Sequence, residues 1–131
     1  MSIESIKYIG EGGVLAKGKG VLTGSDLIKL NDIIYESPEK IKKIAYQICD
    51  LSNVSSTSIS TLELEHVASQ DKKASESNPN MLIAIVGEDD LTYGLARMWE
   101  AYSYNSPFET MVFREIEDAH QWISEKLQGK T

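Results

Sequence analysis

Apolar positions along the chain follow two spacings, one typical of strands and one typical of helices. Short apolar runs predict strands at residues 6–9, 14–17, 43–51, 81–86 and 108–113. Between them, apolar residues recur every three or four positions, which predicts helices that begin near residues 23, 57, 89 and 116. Because strands alternate with helices, the pattern indicates a mostly parallel sheet with helices packed against it.

The first two predicted strands are joined by glycines at positions 10, 12 and 13, which permit the tight turn of an antiparallel hairpin. The predicted fold class is therefore α/β, with a single mixed, mostly parallel five-stranded sheet, an N-terminal antiparallel hairpin and about four helices. No linker or repeat divides the 131 residues, so residues 1–131 are expected to form one domain.

Two of the helix starts carry their own signals. Thr23 is followed three residues later by Asp26, a variant of the capping box. Asp89 and Asp90 each offer a carboxylate that would cap the helix after the buried strand. One stripe of that helix is predicted to face the core, formed by Leu91, Leu95, Met98 and Tyr102.

Composition and charge exclude several classes of function. The formal net charge of −7 repels phosphate backbones, so nucleic acid is not expected as a partner. No apolar run is long enough for a membrane span. The first residues do not resemble a signal peptide and Cys49 is the only cysteine, so a cytoplasmic location is expected. The histidines lack metal-ligand spacing, and no metal or cofactor is expected.

A hydroxyl-rich segment lies between the central strand and the helix predicted to begin near residue 57. Hydroxyl groups at a helix start can cap the helix, bind an anion or become phosphorylated. The residues expected to form an interaction surface here, besides Ser58 and Ser60, are Asp50, Ser56, Thr57 and Thr61. The alternative is that residues 55–58 supply a cap and a solvated turn.

The helix after Gly87 is unusually aromatic. Leu95, Met98 and Tyr102 can fill the core, which leaves Tyr93 and Trp99 partly elsewhere. Aromatic residues and methionine are enriched in ligand pockets and in subunit interfaces. We therefore expect that Tyr93, Met98, Trp99 and Tyr102 line an apolar pocket or an interface. A homodimer is a further hypothesis, because the opening hairpin offers an edge strand.

Three segments resemble the STAS domains of bacterial anti-sigma-factor antagonists, and in particular the divergent SpoIIAA-like, STAS/SEC14-like group. They are residues 20–27 (GVLTGSDL), residues 50–54 (DLSNV), and residues 93–101 together with 113–122. The resemblance covers nearly the whole chain. It implies a STAS-like fold more strongly than it implies an activity.

The resemblance also implies a candidate phosphorylation site. In the anti-sigma-factor antagonists, DLSGV is followed by DSSGL, and a partner kinase phosphorylates the second serine of DSSGL. The matching residues here are 58–62 (SISTL), so Ser60 occupies the phosphorylated position. Ser58 stands where the family has an acidic residue, and Thr61 stands where it has glycine. Ser60, and secondarily Ser58, are thus the phosphorylation candidates, and a kinase or an anti-sigma-like protein is the implied partner.

Three functions follow from the sequence. The first is a non-catalytic regulatory or interaction module that acts through the surface around Asp50, Ser58 and Ser60. The second is a binding module for a small apolar or lipid-like ligand, since SEC14-type domains resemble this fold. The third is an enzyme that uses Cys49 or the acidic loop at residues 87–90. We disfavour it because free cysteine inside an apolar strand usually behaves as a small hydrophobic residue, and because the carboxylates of the loop are expected to cap a helix.

Overall fold

The structure of the chain is a computed structural model that describes residues 2–129. Five strands and five helices follow one another, and their bounds in chain order are β1 (Ile3–Ile9), β2 (Gly13–Thr23), α1 (Gly24–Ile34), α2 (Pro38–Lys42), β3 (Tyr46–Ser58), α3 (Thr61–Ser77), β4 (Leu82–Val86), α4 (Asp90–Tyr102), β5 (Glu109–Phe113) and α5 (Ile116–Gln128). The strands form one sheet in the order β1-β2-β3-β4-β5. β1 is antiparallel to β2 and the other neighbours are parallel, which confirms the predicted α/β class.

The strand order explains where the helices lie. Strands that are neighbours in sequence are also neighbours in the sheet, so each right-handed crossover runs in the same direction and lies on the same face. The helices α1, α3 and α4 accordingly pack together on one face of the sheet. The last helix, α5, packs on the opposite face against β3, β4 and β5.

The two faces of the sheet build separate apolar clusters. One contains Leu30, Val67 and Met81, and the other contains Ala119 and Ile123. β4 contributes alternate residues to both clusters, as predicted for a strand that is buried on both faces. No helix in residues 2–129 is long and apolar enough to cross a membrane.

The central strand β3 differs from the prediction. It was expected to end near residue 51, but it continues to Ser58, and α3 begins at Thr61 rather than near residue 57. The turn predicted at residues 55–58 is therefore wrong. The physical reason is that these residues, which lack the apolar run of the first half of β3, pair with the end of β2 as far as Thr23.

The short helix α2 brings the number of helices to five, where about four were expected. The sequence predicted that the first helix stops at Ser37 and Pro38, and it predicted no helix between them and the central strand. In the structure Ser37 caps a new helix by accepting a hydrogen bond from the Lys40 N–H at 3.2 Å. Pro38 follows as the first helical residue, where its missing N–H costs nothing.

The prediction of which stripe of α4 faces the core is also wrong. Leu91, Met98 and Tyr102 are exposed, whereas Trp99 is buried together with the residues at positions 92 and 96. Both stripes have helical spacing and differ only by about 100° of rotation around the helix axis. The burial of Trp99 against the sheet selects the second stripe.

The capping box at Thr23 forms only in part as predicted. The Thr23 hydroxyl oxygen accepts a hydrogen bond from the Asp26 N–H at 3.1 Å. The Asp26 carboxylate, however, accepts bonds of 2.7 Å from both the N–H and the hydroxyl of Ser2, and these bonds lower the pKa of Asp26. Ser2 in turn accepts a hydrogen bond from the Thr23 N–H at 3.4 Å, so the N-terminal segment completes the cap.

The hairpin glycines predict a matched pair of stability effects. Gly10 and Gly12 both have positive φ, but a Cβ atom at Gly10 would meet nothing, whereas one at Gly12 would lie 2.7 Å from the Lys43 carbonyl oxygen. We expect Gly10→Ala to lower the free energy of unfolding by about 1 kcal/mol through backbone strain alone. Gly12→Ala should cost about 1–3 kcal/mol more, because of overpacking. Urea denaturation would measure both, and equal losses would contradict the packing explanation.

Candidate functional site

Ser60 lies at the N-cap of α3 and is exposed to solvent. Its hydroxyl oxygen accepts a hydrogen bond from the Glu63 N–H at 3.1 Å. The Glu63 carboxylate accepts a hydrogen bond from the Ser60 N–H at 2.9 Å. The two bonds form a complete capping box, which satisfies backbone groups that the helix leaves unpaired. The hydroxyl of Ser60 thus stabilises the start of α3.

The last part of β3 carries the start of α3 beyond the rest of the sheet. β4 pairs with β3 only as far as Asp50, which lies opposite Val86. β2 continues to pair with β3 until Thr23 lies opposite Ser58. Because α1 follows β2 directly and α3 follows β3 after two residues, the N-termini of both helices lie at the same end of this two-stranded ribbon.

Gly24 shows how closely the two helix starts approach each other. A Cβ atom at Gly24 would lie 2.6 Å from the Cβ atom of Glu63 and 2.6 Å from its Oε1 atom. Each helix start carries a carboxylate in its first turn, Asp26 in α1 and Glu63 in α3. Negative groups are favourable there, since the N-terminal end of a helix is the positive end of its dipole.

Asp50 lies far from the two helix starts. Ser58 lies eight positions further along the same strand, which corresponds to about 26 Å at the usual rise of a strand. Its carboxylate accepts hydrogen bonds from the Ser52 N–H, at 3.1 Å, and from the Ser52 hydroxyl. The pairing of β2 with β3 shifts register next to this point, between Lys17 and Lys19. Asp50 therefore stabilises an irregularity in the strand.

The remaining residues of the predicted interaction surface divide between strand and helix. Ser56 and Ser58 are exposed in β3, and Thr61 is exposed as the first residue of α3. Thr57 is half-buried and lines an internal cavity. The structure therefore brings Ser58, Ser60 and Thr61 together at the end of the ribbon.

A partly open cavity of about 70 Å³ lies between the sheet and the helices α1, α3 and α4. Its lining is mostly apolar but includes four buried polar side chains, those of Asn31, Gln47, Asp71 and Thr92. Ligand pockets usually enclose about 300–1,000 Å³. This cavity is therefore sized for a small molecule or a few water molecules.

Asp71 is the centre of a hydrogen-bond network in the wall of the cavity. Its Oδ1 atom accepts bonds from the Tyr35 hydroxyl at 2.6 Å and from the Asn31 side-chain amide at 3.3 Å. Its Oδ2 atom accepts a bond of 2.8 Å from the indole N–H of Trp99. Gln47 donates to the Tyr35 hydroxyl at 2.7 Å. The network joins β3, α1, α3 and α4 with the residue that follows α1.

The environment changes the acidity of two groups that face this cavity. Burial raises the pKa of Asp71 to about 6, although the hydrogen bonds from Tyr35, Trp99 and Asn31 oppose that shift. Burial, together with the neighbouring carboxylates of Asp50 and Asp71, raises the pKa of Cys49 to about 12. Cys49 is therefore a protonated thiol at neutral pH, which disfavours a role as nucleophile.

The aromatic helix α4 places its four predicted pocket residues in different surroundings. Trp99 lines the cavity. Tyr93 is half-buried, and its ring lies 4.3 Å from the guanidinium carbon of Arg114. Met98 and Tyr102 are exposed on the outer side of the helix. The structure therefore brings only Trp99 to the cavity.

Comparisons with known proteins found similar folds but no similar sequences. No protein-family model matches the chain, and no curated protein matches it. A solved structure of the anti-sigma factor antagonist SpoIIAA in its unphosphorylated form superposes with a TM-score of 0.59 over 92% of this chain and 96% of that chain, at 9% identity. The chain has the SpoIIAA fold.

A second SpoIIAA structure supports the same conclusion. The Bacillus cell fate determinant SpoIIAA in its phosphorylated form superposes with a TM-score of 0.58 over 90% of this chain and 97% of that chain, at 13% identity. Both structures match over almost their full length, so the STAS-like fold expected from the sequence is confirmed. At these identities the likeness concerns the fold alone.

Within the SpoIIAA fold, the carboxylate network is the feature that the sequence analysis missed. Asp71 continues the buried stripe of α3, since Val67, Ala68 and Ala74 lie three or four residues from it. The sequence did carry a signal for Asp71: an acidic residue stands at a position where the helical spacing predicts an apolar one. The residues that bind Asp71 carried no such signal, because they are distant in sequence.

The part of the chain that the structure describes contains no group of three or more His, Cys, Asp or Glu side chains that could hold a metal ion. The acidic loop after β4 has a structural explanation. Asp89 caps α4 by accepting hydrogen bonds from the N–H of Thr92 at 2.8 Å and from its hydroxyl at 2.9 Å, and these bonds lower the pKa of Asp89. The predicted cap is thus confirmed.

The raised pKa of Asp71 predicts a pH dependence of stability. Its folded-state pKa of about 6 exceeds the value of about 3.9 in an unfolded chain, so protonation stabilises the folded state. This contribution is fully present below about pH 4 and is lost as the pH rises through about 6. Its size is about 3 kcal/mol.

We expect the difference in unfolding free energy between the wild type and Asp71→Asn to change by about that amount between pH 4 and pH 7. Taking the difference removes the contributions of Asp26 and Asp89, whose lowered pKa values act in the opposite direction. Denaturant titrations of both proteins at several pH values would measure this difference in unfolding free energy. A difference that stays constant across this range would contradict the assignment to Asp71.

Proposed function

We propose that the chain is a non-catalytic regulatory module of STAS-like fold that binds a protein partner at the start of α3. The observation that carries this proposal is the exposed N-cap Ser60, which lies beyond the end of β4 on the ribbon of β2 and β3. The SpoIIAA structures supply the analogy, since that anti-sigma factor antagonist exists in unphosphorylated and phosphorylated forms.

The surface around Ser60 has properties that suit protein recognition. Leu62, two residues further on, is 77% exposed and offers an apolar contact beside the helix start. The neighbouring Ser58 and Thr61 are exposed and polar. An apolar contact residue surrounded by hydroxyl groups matches the apolar centre and polar rim of many interfaces.

A phosphate group on Ser60 would have two opposing effects. It would carry about −1.5 to −2 charges beside the positive ends of α1 and α3, which is favourable. It would also repel the Glu63 carboxylate, which now accepts a hydrogen bond from the Ser60 N–H. We propose that Glu63 would then leave its place against Gly24, so that phosphorylation changes both the charge and the shape of this surface.

Two substitutions of Ser60 separate the switch from the cap. Asn and Asp cap helices about as well as Ser, so Ser60→Asn and Ser60→Asp should both keep α3 stable to within about 0.5 kcal/mol. Only Ser60→Asp adds a negative charge. We expect the protein partner that co-purifies with the wild type from its native cells to bind Ser60→Asp at least about tenfold more weakly than Ser60→Asn. Calorimetric titration of the purified partner would measure the two affinities.

The control for this comparison is Ser69→Asp, which adds the same charge at an exposed position further along α3. It should bind the partner as the wild type does. Fragment mass spectra of the wild type from native cells should show phosphate on Ser60. Equal binding of the Asn and Asp variants, or an unmodified Ser60, would overturn the switch.

The cavity favours a second function, the binding of a small apolar ligand. Its walls are mostly apolar and include Trp99, and its volume of about 70 Å³ suits a small molecule better than a lipid chain. Xenon enters dry apolar cavities and is therefore a suitable probe. Under xenon pressure we expect amide signals to shift around Leu30, Val67 and Ala96 and not in α5. Shifts confined to other regions would contradict this proposal.

A further inference from the structure

The carboxylate of Asp71 is buried without a partner of opposite charge. All three of its donors, Tyr35, Asn31 and Trp99, are neutral groups. Within residues 2–129, no Lys, Arg or His forms an ion pair with it. Buried charges in proteins are usually paired, because desolvation of an isolated ion is costly. A carboxylate accepts about four hydrogen bonds, and here three donors reach it.

The carboxylate also faces a space that a ligand could occupy. Asp71 and Trp99 line the same partly open cavity as apolar side chains such as those of Leu30 and Leu95. One water molecule needs about 10–15 Å³ of such space. The cavity of about 70 Å³ therefore admits a molecule of about five non-hydrogen atoms.

We propose that this cavity binds a small aliphatic amine in its protonated form. The ammonium group would donate a charge-assisted hydrogen bond to the carboxylate of Asp71. The short hydrocarbon chain would pack among the apolar residues. A metal ion is a poorer occupant because hard cations require several oxygen ligands, and the described residues hold no such group.

Isobutylamine and isobutanol provide a matched pair of probes. The two have similar size and shape, and the amine carries a positive charge at neutral pH. The chain contains two tryptophans. Trp99 bonds to Asp71, whereas Trp122 packs against Phe113 on the opposite face of the sheet and serves as the internal reference.

We expect isobutylamine to shift the indole N–H resonance of Trp99 saturably and to leave that of Trp122 unchanged. Its Kd should be at least about tenfold lower than that of isobutanol. In Asp71→Asn this preference should disappear. The control Glu65→Gln removes one negative charge from the exposed side of the same helix and should keep the preference.

A cavity-filling variant keeps the test valid where Asp71→Asn does not fold. Cys49 lines the cavity, so Cys49→Met adds volume there, leaves Asp71 in place and should abolish binding of the amine. Unchanged binding in Cys49→Met would overturn the proposal, as would equal affinity of the wild type for isobutylamine and isobutanol.

This inference rests on the second proposed function, and the xenon experiment separates the two. If xenon shifts the amides around the cavity but isobutylamine has no advantage, the cavity binds apolar molecules and the preference for a cation is wrong. If neither probe binds, both proposals fail.

Discussion

The long parallel pairing of β2 with β3 is the constraint on which most of the structure depends. The two strands remain paired from Gly13 opposite Tyr46 to Thr23 opposite Ser58, although their register shifts twice. β4 stops opposite Asp50, so the rest of the pair projects as a two-stranded ribbon. Each strand of the ribbon leads into a helix, and both helices must therefore start at the ribbon's end.

The interior depends on this arrangement as well. The helices α1 and α3 run back over one face of the sheet, where α4 joins them, and the cavity lies between these helices and the strands. The carboxylate in its wall, that of Asp71, accepts hydrogen bonds from α1, from the residue after α1 and from α4. Removal of any one donor would leave a buried carboxylate oxygen with one hydrogen bond fewer, which would lower the free energy of unfolding. The network therefore favours one relative placement of these elements.

Local signals in the sequence predicted the elements whose apolar pattern is clear. The six apolar residues from Met81 predicted β4, and the glycines after Ile9 predicted the hairpin. The second half of β3 escaped prediction because it lacks a continuous apolar run, and its pairing with β2 depends on a segment that is distant in sequence. The rotation of α4 escaped it because two adjacent stripes of the helix have the same apolar spacing.

The sequence by itself determined the order and type of the five strands and their main helices, and it placed Ser60 near a helix start. These features depend on residues that are close together in the chain. Only the tertiary structure decided that Ser60 stands at the end of a projecting ribbon and that Asp71 meets its donors in the wall of a cavity. Both depend on contacts between distant segments, and a local pattern of apolar and polar residues carries no information about which distant donor will reach a buried acceptor.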